Sequence, residues 1–339
     1  MTNEFRREFG DIVVDVDQIE GRKFIETLLN SDPNRLGPSF REVLYRQTGG
    51  HPLFTTELLR GLQERGDLTK DPEGYWIEGP ALAWEALPVR VEAAIQERIR
   101  RLPEPLQKAL AVASVEGELF TAEAVARVRD VDEHRMLDSL SGELDRKHRL
   151  VQAQSIQRVD GKPLSRYRFR HILFQKYLYS SLDEVERVHL HEQIGTALEE
   201  LYGDQVEAAA NALEMARHFE AAKITEKAIH YLYDAGRKAV QLSAYGEGIA
   251  HLTRGLTLLE DLPASTQRDR QELDLQLALG MAWQGAKAAP ALEVNNAFSR
   301  ARELCQKVGN TTQMVQVLGG LVVHYYVRGE LHLAQELAE

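Results

Sequence analysis

Residues 46 to 67, RQTGGHPLFTTELLRGLQERGD, are where residue types suited to chemistry first cluster in this 339-residue chain. Gly49, Gly50 and His51 run into Pro52. Glycine lets a backbone come close to a ligand. A proline at a helix start offers a rigid, flat apolar contact. The other candidates for chemistry are weaker. A phosphate loop needs G-x-x-x-x-G-K-[ST], so that backbone N–H groups wrap phosphate and the lysine reaches it. The Gly161-Lys162 pair is followed by Pro163 and has no glycine five residues earlier, so it reads as a hairpin turn. The patterns G-x-S-x-G and H-E-x-x-H do not occur. His189 and His191 stand two apart on a helical stretch, about 200° around the axis, and cannot share a metal face. They read as partly buried imidazoles on a solvated helix. Cys305 beside Leu304 reads as a small buried hydrophobe. We therefore expect no catalytic residues and no metal ligands.

The elements around these residues are read from period and punctuation. SFREVLYRQTGG predicts a helix opened by a Ser39–Glu42 capping box and closed by Gly49 and Gly50. The next helix is expected to start at Pro52, whose missing N–H costs nothing in a first turn. Leu53, Phe54, Leu58, Leu59 and Leu62 form its apolar face, and Gly66 ends it. Asp71-Pro72-Glu73-Gly74 predicts a turn between two short extended pieces. Two helices followed by a third, around TAEAVARV, are expected within 88–129, and DEHRMLDSLSGELDRKH is a further amphipathic helix. The period then changes to two: Val151 leads into a strand, Asp160-Gly161 turns, and LSRYRFRH returns. That order matches a winged helix-turn-helix domain.

From Ser181 onward the pattern is helical throughout. A Ser181–Glu184 capping box opens a long helix, followed by seven alanine-rich amphipathic stretches. Ala250, Ala297 and Ala334 share a small-residue register at roughly the spacing of tetratricopeptide hairpins. A stacked α-solenoid follows, with a generic helical bundle as the alternative. LHLAQELAE carries no stop signal, so the chain reads as cut at its C-terminus.

Bulk properties bound the function. Net charge is −11, which opposes nucleic acid and anionic membranes. A single cysteine excludes an intrachain disulfide and a cysteine-based zinc site, and fits a cytoplasmic protein. The N-terminus has no signal-peptide pattern and no stretch is apolar enough to span a membrane. Arg158, Lys162, Arg166, Arg168 and Arg170 form one basic cluster on the hairpin. The adjoining helix carries Glu133, Asp138, Glu143 and Asp145, so DNA contact there is disfavoured and internal packing is expected.

Taken together, TGGHPLFTTELLRGL, ALAVASVEGELFTAEAVA, RYRFRHILFQKYLYSSLDEVERVHLHEQIG and the repeat-like C-terminal stretches resemble STAND-class signalling ATPases, relatives of the AAA+ group. The resemblance implies a mainly α fold: a helical lid at 1–87, a winged-helix domain with a β-hairpin at 88–180, and tetratricopeptide-like repeats at 181–339. In such proteins the proline of Gly-x-Pro lies against adenine, which singles out Gly50, His51 and Pro52. A winged-helix histidine near the nucleotide phosphate points to His171, with Arg170 as the alternative. The Walker A and B segments of the family are missing from these residues, and DIVVDV is the only candidate remnant of the core. The chain is therefore expected to hold no cofactor alone, although ATP or ADP with Mg belongs to the full family architecture. Bacterial relatives join this arrangement to a nucleotide cyclase, a protein kinase or a transcriptional activator. The implied function is regulatory: the repeats meet a protein partner or small effector, and the lid responds to nucleotide on a P-loop ATPase domain. The alternative is a DNA-binding transcriptional regulator that uses the winged helix, with the repeats as effector sensor.

Overall fold

The structure is a computed structural model and describes residues 21–80, 89–159, 161–203, 209–287 and 291–338. The DIVVDV stretch, Asp160 and the Leu53 side chain lie outside what is described. The fold is mainly α with two small sheets among the described residues. Contacts divide it into two units, and each has its own packing.

The first unit holds the described residues up to Phe120, together with His134–Ser155 and Arg166–Leu182. It opens with α1 (Gly21–Leu29), α2 (Pro38–Thr48) and α3 (Pro52–Glu64). The proline starts of α2 and α3 follow from the fixed φ of that residue. Strands β1 (Leu68–Lys70) and β2 (Trp76–Glu78) pair antiparallel across the expected Asp71–Gly74 turn, with Thr69 opposite Ile77. Asp71 Oδ1 accepts the N–H groups of Glu73 (3.0 Å) and Tyr75 (2.9 Å), which fixes that turn. Ile25, Leu29, Phe40, Leu44, Leu58, Leu62 and Leu68 close one core over these elements. Helices α4 (Val89–Arg100) and α5 (Glu104–Glu116) follow.

Strand β3 (Leu119–Thr121), α6 (Ala122–Val128) and α7 (Glu133–Asp138) come next. The stretch expected as one amphipathic helix changes type after α7 and continues as a π-helical segment, Ser139–Lys147. Gly142 inside it weakens the preference for regular α-helix, and Leu140 and Leu144 still reach the core fully buried. Strands β4 (Val151–Val159) and β5 (Lys162–Phe169) form the expected hairpin, turned at Gly161 with φ +81°. The sheet order is β3-β5-β4. Helix α8 (Ile172–Ser181) packs on α5, and Gln175 Nε2 donates to the Ser114 carbonyl (2.7 Å).

The second unit contains Thr121–Glu133, Ile156–Ser165 and the residues from Asp183 onward. Besides α6, its helices are α9 (Glu184–Tyr202), α10 (Ala209–Ala221), α11 (Thr225–Gln241), α12 (Tyr245–Glu260), α13 (Thr266–Lys287), α14 (Leu292–Val308), α15 (Thr311–Val327) and α16 (Leu331–Ala338). Each packs on the next, and α11 also meets α13 as α13 meets α15. Nearest-neighbour stacking of this kind is solenoid-like.

Three local expectations are corrected. Helix α2 starts at Pro38 with Gly37 as its cap, so Ser39 is already inside the helix; Glu42 instead takes Arg22 in a bidentate pair (2.7 and 3.1 Å). The capping box of α9 belongs to Asp183 and Glu186, whose side chains meet each other's backbone N–H at 2.8 and 3.1 Å. Ser181 ends α8, donating to the Leu178 carbonyl (2.7 Å). Ala297 and Ala334 are buried, but Ala250 faces solvent. On α12 the close contact is made by Gly248, where a Cβ would lie 2.8 Å from the Val240 side chain.

Candidate functional site

The Gly49–Gly50 turn is set by two successive left-handed residues, φ +59° and +73°. Gly49 caps α2 and gives its N–H to the Tyr45 carbonyl (2.7 Å). Gly50 gives its N–H to Thr48 Oγ1 (3.2 Å). Only glycine takes such conformations without cost. Space imposes the same choice. A Cβ on Gly50 would sit 2.2 Å from Gly21 Cα, and one on Gly21 would sit 2.5 Å from the Gly49 carbonyl oxygen. The first residue of α1 thus lies with its backbone directly on the turn. Thr48 and Thr55, both fully buried, brace it from below: Thr48 Oγ1 donates to the Leu44 carbonyl (2.8 Å) and accepts from Thr55 Oγ1 (3.0 Å).

Beyond the turn, His51 is the N-cap of α3 and Pro52 its first helical residue. The start of α8 repeats this arrangement. His171 is its N-cap, and H-I-L-F at 171–174 matches H-P-L-F at 51–54. The two starts meet. The His51 and His171 rings stand edge to face with centroids 5.1 Å apart. Phe54 lies 4.6 Å from His51 and 5.2 Å from His171. Phe174 completes the cluster, 5.9 Å from Phe54 and 6.0 Å from His171. A Cβ on Gly49 would lie 3.4 Å from His171 Nδ1, so the bare glycine gives that ring its room. The two phenylalanines are buried, whereas His51, Pro52 and His171 are half-buried. Arg98 covers the Phe174 ring at 5.3 Å and donates to the His148 carbonyl (2.6 Å).

Of the two basic residues singled out by the resemblance, His171 comes to the turn and Arg170 does not. Arg170 donates to the Val151 carbonyl (3.1 Å) and to Asp145 Oδ1 (2.7 Å). Neighbouring residues in extended chain point to opposite sides, which separates the two. Phe54, Phe174 and Gly21 are participants that sequence reasoning missed. The repeated H-x-L-F is the signal that marks the two phenylalanines. Nothing in the sequence marks Gly21, because its reason is a backbone contact.

The hairpin's basic cluster is largely matched by acids. Arg166 pairs with Glu116 (3.1 Å), whose side chain is fully buried. Arg168 pairs with Glu118 (2.7 Å) and Arg170 with Asp145. The Arg158 guanidinium donates to the Gly161 carbonyl (3.4 Å).

In the second unit His189 is exposed and His191 buried. His191 Nδ1 lies 3.0 Å from Nδ1 of the buried His218, and His218 Nε2 lies 2.9 Å from Arg217 Nη2. Burial, then the positive Arg217 and Arg187, push His191 down to about 4. Burial, Arg217 and His191 hold His218 well below its ordinary range. Cys305 is buried, and burial followed by nearby Asp274 raises its thiol, which opposes nucleophilic use. Among the described residues no three metal-ligating side chains gather, and no helix is long and apolar enough to cross a membrane.

No model of a known protein family matches the chain, and no curated protein matches it. One solved structure resembles it: the crystal structure of a Signal Transduction ATPase with Numerous Domains (STAND) protein with a tetratricopeptide repeat sensor, from Pyrococcus horikoshii. The likeness covers 94% of this chain and 46% of that one, at 13% identity and a TM-score of 0.34. This chain thus spans about half the length of that protein. At that score the likeness carries no further weight, and the functional reading rests on the residues themselves.

Proposed function

We propose that this chain is the regulatory part of a STAND-type signalling ATPase: a helical lid, a winged helix and a tetratricopeptide-like sensor. The lid and winged helix respond to nucleotide held by a P-loop module outside these residues, and the repeats bind a partner or effector. What carries the reading is the meeting of the Gly50-His51-Pro52 turn with His171, edge to face at 5.1 Å. Those two segments are the ones the family resemblance singles out, and they lie far apart in sequence.

The residues present fit one side of a nucleotide and not the whole of it. A bare glycine turn, a half-buried proline and a half-buried imidazole over buried phenylalanines make a mostly apolar wall suited to one side of a purine. His171 stands beside that wall as a donor for a phosphate oxygen. The P-loop cradle that phosphoryl transfer requires is absent from this sequence. When bound, the nucleotide supplies the charge whose presence or loss shifts lid and winged helix between two arrangements. Photolabelling of the native protein with 8-azido-ADP tests this. The label is expected on the peptide containing His51 and Pro52, and His171→Ala is expected to weaken ADP retention about tenfold. Retained nucleotide that labels only other peptides overturns the reading.

The DNA-binding alternative gains no support. Three arginines of its basic hairpin already face carboxylates.

A further inference from the structure

Between α10 and α12 the second unit has a groove of about 500 Å³. Leu213, Ala216 and Leu232 supply its apolar surface, and Arg217, Arg254 and Glu220 its charge, with half-buried His251 at the side. In a chain of net charge −11 this groove carries two guanidinium groups against one carboxylate. That carboxylate, Glu220, is bonded to Arg254.

Arg217 also reaches inward. A guanidinium only donates, so His218 Nε2 must accept from Arg217. A neutral imidazole then carries its proton on the other nitrogen. His218 Nδ1–H therefore donates to His191 Nδ1, and the His191 proton sits on Nε2. The positive charge of Arg217 helps hold both rings neutral. Arg217 is shared between the groove and a buried two-histidine chain whose tautomers are dictated by it.

We propose that this groove binds a small carboxylate with an apolar body, its head on Arg217, and that occupancy is reported inward through His218 to His191. The volume lies in the small-ligand range of roughly 300–1,000 Å³. Leucine and alanine side chains face the body of such a ligand, and the planar guanidinium of Arg217 on the groove wall matches a carboxylate head in charge and shape. Glu220 opposes the ligand head directly and also competes for Arg254. Neutralising Arg217 from the groove weakens its field on the imidazoles, so binding and the state of the histidine pair are coupled, reciprocally. The proposal deepens the sensor reading of the repeats. Nucleotide labelling tests only the lid and winged helix, so the two ideas fail separately.

The test is a titration of the full chain with octanoate, with the imidazole nitrogens observed by 15N NMR. Saturable shifts are expected at His218 Nε2 and His191 Nδ1. Arg217→Gln should weaken binding at least about tenfold, and Glu220→Gln should tighten it several-fold. The second variant keeps its meaning if the first fails to fold, because it changes affinity in the opposite direction. An acidic peptide with a blocked C-terminus forms the comparison arm. Binding of the peptide without octanoate, absence of any imidazole shift, or an affinity indifferent to Glu220→Gln overturns the proposal.

Discussion

Two histidines at helix starts and two behind a groove show how position decides what one side chain can do. His51 and His171 are half-buried at helix starts and pack on phenylalanines. His191 and His218 are buried against each other and must stay neutral. The sign of their pH dependence follows. Both folded-state pKa values lie below the unfolded value near 6.5, so the unfolded chain binds protons first. Stability from this pair is complete above about pH 6.5 and is lost as the pH falls towards 4, by roughly 3 kcal/mol for His191. Urea unfolding at pH 7.5 and pH 5 measures it. A His191→Phe/His218→Leu double variant should flatten the slope, and an unchanged slope contradicts the assignment. The Arg166–Glu116 pair makes a second prediction at this scale. Glu116 is fully buried and Arg166 half-buried against it, so Glu116→Gln removes the negative charge from that pair and should cost about 3 kcal/mol. Chemical denaturation reads that loss, while Glu97→Gln on an exposed pair should change stability by less than about 1 kcal/mol.

Helices were legible where their signals are local. Pro52 at a start, Gly49 at a C-cap and the Asp71–Gly74 turn all act within a few residues, so the sequence reports them directly. The caps at Ser39 and Ser181 misled because a serine followed by glutamate three residues later is compatible with more than one helix start. Pro38 moved one boundary, and Asp183 offered α9 a better acceptor. The small-residue register misled at Ala250, because Gly248, two residues away, is on the buried side of α12. Phe298 of α14 gives a test at this scale. Its buried ring sits between Gly280 of α13 and Gly320 of α15, where added Cβ atoms would lie 2.8 and 2.5 Å away. Gly320→Ala gains up to about 1 kcal/mol of helix propensity. It also forces overpacking that costs roughly 1–3 kcal/mol. We expect net destabilisation by thermal melting, reversed when Phe298→Leu is added. A simple gain in stability would show that the ring has room to move.

For the whole molecule, charge and pairing act together. The net charge of −11 opposes DNA, and the hairpin's arginines are engaged by Glu116, Glu118 and Asp145. No mobility shift is expected with duplex DNA at micromolar protein and physiological salt; a submicromolar complex with a steep salt slope would reverse this. The sequence by itself determined that the chain is mainly helical, where α2 ends and α3 begins, that a hairpin interrupts the helices, and that the later helices stack. Those features depend on periodicity and on proline and glycine, whose effects are local. Only the tertiary structure decided that His171 and not Arg170 joins the Gly49–Gly50 turn, that Gly21 must lack a side chain, and that Arg217 holds a buried histidine pair. Each of these depends on a partner distant in sequence or on an orientation set by packing, and the residue type alone carries no record of it.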